Sequence, residues 1–536
     1  MIILILFEII FFTLISMFGK SLLKRITKED ESKDNIFRYF WFGLSILILF
    51  SELISLFFPL NQIVFISFFI IVFIIGIFEF NINTLKIINP LYIIPIIFVF
   101  LSHSWINQPI QLLDTLGYHL NMVKWNHDFG VVTGLVNLQD RFGFNSSFWV
   151  FSALFDNLYF HNKTTYVLNI SLITVVSFQL TLIIVEKSKS LLKFYSSILL
   201  IFIYTKIDSI ELNSLSSDLP MQILIIVVCL EIIRNTKNSI HIALIISSTV
   251  LTIKLSGITF FIVISIYYIY KFLFKKFEDE IKLSYFSIII SFLIILFFII
   301  RNIYISGTLV YPLALLNLHL PWSQNDQSIS ELSNTITAWA RLPGKYHMTS
   351  LKMNFFEWFV PWLNRNIGSY EITISGISIL LIILNFKKII TFKKENTLII
   401  ISAIFSIFLT ILKAPDLRFS SIFFWLFFIS TLSVIKDKFI LSKSNIIFLF
   451  IIILIFSKFD IVLKNTLTRY QSIYFEFFKI SEVGSLAVDE FIIPLNQKIY
   501  KPRGNDCGNS NLPCTSIPPN RINLINVEKL SDGFLP

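Results

Sequence analysis

The chain has 536 residues, of which 55% are hydrophobic and only 15% charged, with a mean hydropathy of +0.76. That balance lies outside the range of soluble domains and excludes a large water-facing globule. The net charge of +10 would suit a nucleic-acid partner in a soluble protein, but in a chain this apolar it reports where lysine and arginine sit relative to a membrane, and no nucleic-acid partner is expected.

Apolar runs approaching or reaching the length that crosses a hydrocarbon core of ~30 Å recur from end to end. In chain order they cover 2–19, 40–60, 62–80, 87–103, 164–185, 194–206, 220–233, 239–253, 256–270, 283–302, 369–386, 397–412, 419–435 and 445–457. The expected fold class is an all-α polytopic membrane protein of about fourteen transmembrane helices, or about twelve if one pair of the short runs between 194 and 270 re-enters from one side. The first run carries its basic residues behind it rather than in front, so it reads as a retained span and not a signal peptide. The segment "KSLLKRITKEDESKDNIFR" (20–38) carries six basic residues and is placed inside. Alternating sides from there puts the basic loops 186–193, 234–239, 271–282, 387–396 and 436–438 inside as well, with both termini outside.

The outer segments are longer and chemically mixed. In 104–163 stands "QLLDTLGYHLNMVKW" (111–125). A helix from Asp114 to His127 would line up Asp114, Tyr118, Asn121 and Trp125 on one face. One reading is an amphipathic surface helix, capped by Asp114 and anchored at the interface by Trp125; the other is a chemical site. The loop 207–219 gathers Asp208, Glu211 and Asp218, as solvated acids or with Asp218 capping the helix that follows. Lys254, Arg301 and Arg418 stand at outer ends of apolar runs, against the positive-inside trend. Each either snorkels to lipid phosphate or joins the others around one anion. The segment 303–368 combines Trp322, Trp339, Trp358 and Trp362 with His319 and His347, which suits both sugar rings and an interfacial aromatic belt. In the tail, the close pair Cys507 and Cys514 of "CGNSNLPC" is expected to form a disulfide, while Cys229 lies within a span as packing.

An acid in the first large outer loop, further acids in the next and cations at outer helix ends resemble the GT-C superfamily of multispanning glycosyltransferases. The matching stretches are "DTLGYH" (114–119), "KW" (124–125), "GFNSS" (143–147), "SSDLP" (216–220), "IKLS" (253–256), "RNIYISG" with "YP" (301–312), "APDLRF" (414–419) and "CGNSNLPCT" (507–515). The resemblance implies a catalytic module over 87–457 with outer loops 104–163 and 303–368, preceded by extra helices in 1–86 and followed by a small extracytoplasmic segment, 458–536. It implies transfer of a sugar from a polyprenyl-phosphate donor to a hydroxyl of a glycan, lipid or protein, with inversion, on the outer face of a bacterial cytoplasmic membrane. Asp114 would be the general base, with Tyr118, His119 and Lys124 positioning it or the acceptor. Lys254, Arg301 and Arg418 would hold the donor phosphate, Asp218, Asp208 or Glu211 would supply a second acid, and Tyr311 and Trp125 would touch sugar or lipid. No cofactor is expected; a divalent metal is left open but not predicted, because no D-x-D pair flanks Asp114. A surface-polysaccharide polymerase or ligase would share the outward site without needing Asp114 as base, and a lipid-linked glycan transporter would need ionisable groups inside its spans.

Overall fold

The computed structural model describes residues 2–27, 35–79, 90–106, 108–156, 164–186, 188–236, 238–274, 281–344, 346–384, 394–435, 459–471, 487–493, 497–504, 506–516, 522–526 and 529–536. In chain order the helices are α1 (Ile2–Ile26), α2 (Asn35–Ser55), α3 (Gln62–Gly76), α4 (Ile93–His103), α5 (Leu120–Asp128), α6 (Ser147–Ala153), α7 (Thr164–Val185), α8 (Ser190–Ile207) and α9 (Asp218–Arg234). There follow α10 (Ser239–Ile253), α11 (Ile258–Leu273), α12 (Ile281–Ser306), α13 (Asp326–Arg341), α14 (Phe355–Asn366), α15 (Tyr370–Leu384), α16 (Lys394–Lys413), α17 (Leu417–Ile435) and α18 (Phe459–Gln471). Every predicted apolar run falls on one of these helices except 445–457, which lies outside the described residues. Among the described residues, eight helices are long and apolar enough to cross a membrane, or up to nine if the bent pair α14 and α15 counts as one span. The protein is therefore a helical, multi-pass membrane protein.

The bundle is held by small residues at close crossings and by polar groups paired inside it. α1 and α2 approach so closely that a Cβ on Gly19 would lie 2.0 Å from the Tyr39 carbonyl oxygen, and one on Gly43 2.6 Å from that of Ile15. α9 is apolar along most of its length and buried at every position, the pattern of a helix surrounded by others. Its two charged ends reach opposite ends of the bundle. At one, the Glu231 carboxylate accepts from Arg38 Nε at 3.0 and 3.1 Å and from Arg234 Nη1 at 2.7 Å. Lys189 Nζ donates to the Arg234 carbonyl at 2.6 Å and Asn235 Nδ2 to Glu395 at 2.8 Å, so basic loops separated in sequence meet there. At the other end is Asp218, about 20 Å away at 1.5 Å per residue. Carboxylates also lie within the spans: Glu8 accepts from Ser171 Oγ at 3.1 Å and faces His103 Nε2 at 3.4 Å, and Glu52 is fully buried near Arg301.

The tail departs from the all-α expectation. Strands β1 (Val488–Ile493) and β2 (Gln497–Pro502) pair antiparallel, as do β3 (Asn523–Leu524) and β4 (Phe534–Leu535). The first ladder forms between two short stretches that hold β-branched and aromatic residues, Val488 and Phe491 in one and Ile499 and Tyr500 in the other, which the helical reading of the chain passes over. Cys507 and Cys514 are joined by a disulfide, Cα to Cα 5.9 Å.

Candidate functional site

Asp114 leads into a turn of π-helix, Thr115–His119, closed by the Leu120 N–H on the Thr115 carbonyl, and the turn continues as α5. The wider turn breaks the 3.6-residue register, so the face expected from α spacing is divided among different partners. Tyr118 packs edge-on to Trp149 at 5.8 Å and against Phe144 at 5.9 Å. Asn121 and Lys124 turn to the tail: Lys124 Nζ donates to the Ser510 carbonyl at 2.7 Å and Asn121 Nδ2 to that of Gly508 at 3.4 Å. Trp125 is fully buried between Phe129 and Phe534. The reading of this segment as an amphipathic surface helix is thereby corrected, since every residue from Leu120 to His127 is buried. The tail supplies the cover that the sequence around 120 does not announce. Asp114 makes no side-chain cap bond either, because its carboxylate is turned to arginines.

Those arginines come from two distant segments. Asp114 Oδ1 lies 3.2 Å from Arg141 Nη1, and Oδ2 lies 3.1 Å from Arg418 Nη2. Arg418 Nε is in turn 3.5 Å from Asp218 Oδ2, and Asp218 Oδ1 accepts from Lys254 Nζ. The result is an alternating row, Arg141, Asp114, Arg418, Asp218, Lys254, in which three cations face two carboxylates. Local structure fixes each member. Arg418 opens α17, its backbone N–H donating to Asp416 Oδ1 at 2.9 Å and its carbonyl accepting from Gln222 Nε2 at 2.8 Å. Lys254 follows α10 in extended backbone and lays its ammonium 3.9 Å over the Phe419 ring, which Arg418 also covers at 5.1 Å. Asp218, the first residue of α9, accepts from Ser216 Oγ at 2.9 Å rather than capping the helix from its side chain.

The row is most buried at Asp218, with Lys254 beyond it about a quarter exposed. The Asp218 side chain is 3% exposed, those of Arg418 and Asp114 about a quarter, and that of Arg141 44%. Burial alone would raise the Asp218 carboxyl, but Lys254 and Arg418 outweigh it and hold the group below its ordinary range. Glu211 behaves oppositely. Burial pushes its carboxyl up against the weaker pull of Lys206, 3.9 Å away, and one of its oxygens has no hydrogen-bond partner. His119 lies beneath the row, its ring 4.8 Å from Trp149. Burial first, and then the positive charge of Lys254, hold it well below its ordinary value, so it is a neutral imidazole. Thr115 Oγ1 accepts the Leu215 N–H at 3.3 Å and lies within hydrogen-bond distance of His119 Nδ1, at 3.3 Å, which ties the ring to the loop before α9.

Of the residues singled out from sequence, Asp114, Arg418, Lys254 and Asp218 come together, with Tyr118, His119 and Glu211 beside them. Others do not. Arg301 donates to Asn126 Oδ1 at 2.6 Å, to Asn145 Oδ1 at 3.4 Å and to Ser55 Oγ, and at 1% exposure it serves the junction of α2, α5 and α12 rather than the row. Asp208 accepts from Arg469 at 2.9 Å. Tyr311 is buried in a small core with Val136, Ile329 and Leu332 beneath the outer loops. Arg141 was missed by sequence reasoning. The signal for it was a lone arginine in the same outer loop as Asp114, which joins Lys254 and Arg418 as cations placed against the charge trend. Among the described residues, no group of three or more histidine, cysteine or acidic side chains suits a metal ion.

A family model for a domain of unknown function (DUF8201) matches residues 1–425. The chain belongs to this family. The match takes in the whole row from Asp114 to Arg418 and also α1 to α3. No curated protein matches the chain, and no solved structure does.

Proposed function

We propose that the protein is a glycosyltransferase that moves a sugar from a polyprenyl-phosphate donor to an acceptor hydroxyl, on the extracytoplasmic side of a bacterial cytoplasmic membrane that it crosses twelve to fourteen times. The observation that carries this reading is the row of alternating charges, with its one positive charge in excess, at the end of the bundle remote from the basic loops. In the reaction the acceptor oxygen attacks the anomeric carbon, the bond from that carbon to the phosphate oxygen breaks, and the acceptor proton passes to Asp114. The departing phosphate gains negative charge, which Arg418, Lys254 and Arg141 stabilise more in the transition state than in the bound donor. Asp114 begins between two guanidinium groups, each of its oxygens facing one of them. A donor phosphate drawing Arg141 and Arg418 to itself would release Asp114, so donor binding would precede acceptor activation.

The test is Asp114→Asn in membranes supplied with polyprenyl-phosphate sugars. Loss of a positioned base lowers transfer about 10²- to 10⁴-fold with the protein still folded. Transfer at the unsubstituted rate removes Asp114 from the chemistry. The double engagement of Asp114 by arginines supports one second reading, a polysaccharide polymerase or ligase in which Asp114 only spaces the cations. That reading predicts transfer insensitive to Asp114→Asn and abolished by Arg418→Ala.

A further inference from the structure

α14 has three faces. Trp358 and Trp362, four residues apart, are buried, with Trp362 Nε1 donating to the Pro415 carbonyl and Trp358 stacked under Arg341 at 4.6 Å. Glu357, Asn364 and Arg365 form a polar face, exposed to solvent. Between these runs a third stripe at 356, 360, 363 and 367, spaced four, three and four, is wholly apolar; Phe356 is 73%, Val360 48% and Ile367 63% exposed. A helix in water has no reason to expose such a stripe beside its polar face.

Geometry says what covers it. α14 and α15 meet at 108°, and α15 carries exposed apolar side chains, among them Ile379, Leu380, Ile383 and Leu384, along a helix packed in the bundle against α17. If α15 stands upright among the spanning helices, α14 runs close to the plane of the membrane. At twelve residues it is ~18 Å long and cannot cross a ~30 Å core. A re-entrant course would drive one end of α14 into hydrocarbon together with Glu357 or Arg365, which stand near its two ends; only an in-plane course keeps both at the level of water. We propose that α14 is an interfacial helix whose Phe356, Val360, Leu363 and Ile367 stripe lies among lipid acyl chains, on the side of the membrane that carries the charged row. The bond from Trp362 to Pro415 joins the helix to the segment that presents Asp416 and Arg418, so its depth sets the depth of the row. The inference does not depend on the chemistry proposed for that row.

The experiment places a single environment-sensitive fluorophore at Phe356→Cys or Asn364→Cys, with Cys229→Ser to remove the other thiol outside the disulfide, in nanodiscs of phosphatidylethanolamine and phosphatidylglycerol. Both sites are exposed, and a monodisperse elution profile shows that the labelled protein is folded. With acyl-chain nitroxide lipid as quencher, the label at 356 is expected to be quenched at least about threefold more than the label at 364, with iodide giving the reverse order, as for a helix ~5–10 Å deep. Equal access of iodide to both labels overturns the proposal. So does a label at 356 shielded from both quenchers, which would mean a protein partner covers the stripe.

Discussion

His119 and Arg301 look alike in the sequence, each a basic residue in a membrane protein, and the surroundings give them different work. His119 is neutral because burial and Lys254 both disfavour its protonation. In the unfolded chain it protonates near its ordinary value of 6.5, so between that value and its lower folded one the unfolded state binds more protons. Stability contributed by the neutral ring is thus full above about pH 6.5 and is lost as pH falls below it. His119→Gln should flatten the decline in thermal stability of the purified protein between pH 7 and pH 5; an unchanged slope would remove His119 as its source. Arg301 is fixed by Ser55, Asn126 and Asn145 and faces the buried Glu52. Arg301→Ala takes the buried donor from Ser55, Asn126 and Asn145 and should cost about 1–3 kcal/mol. The melting temperature in detergent would show it, while transfer per folded molecule stays near the parent value if Arg301 takes no part in phosphate binding.

The π-helical turn at 115–119 and the disulfide loop of the tail are a matched pair. The Gly508 N–H donates to the Leu116 carbonyl at 2.9 Å inside that turn, and Lys124 and Asn121 reach the same loop from α5. Thr515 Oγ1 ties the far end of the loop to the Leu138 carbonyl at 2.5 Å. The tail therefore holds the segment that presents Asp114. Replacing Cys507 and Cys514 by serine should cost about 2–4 kcal/mol locally, seen as faster amide exchange at 115–128 with the spanning helices unchanged. Exchange that stays as slow as in the parent would detach the disulfide from this role. The sequence showed that these cysteines were close and that 114–127 is helical. It could not show that one covers the other, because no periodicity links residue 116 to residue 508.

At the scale of the molecule, alternation of apolar runs predicts that reporter fusions in 20–38 and 186–193 share one compartment and that a fusion in 207–219 reports the opposite one. The same compartment for all three would break the topology. The apolar helices, their approximate limits and the clustering of basic loops were legible without coordinates, since each depends on the composition of a continuous stretch and on the cost of placing charge in hydrocarbon. Residues around Asp218 and Lys254 were legible as candidates for a related reason, being polar where a span ends. Selection among the cations was decided only in three dimensions. Lys254 and Arg418 converge because the end of α10 and the start of α17 both lie against the start of α9, while Arg301, as conspicuous in sequence, is turned away by α2 and α5; Arg141 enters because its loop folds back on Asp114. Membrane residence follows from local hydropathy and is additive along the chain. A charged row depends on which helix ends meet, and that is set by packing among segments up to three hundred residues apart.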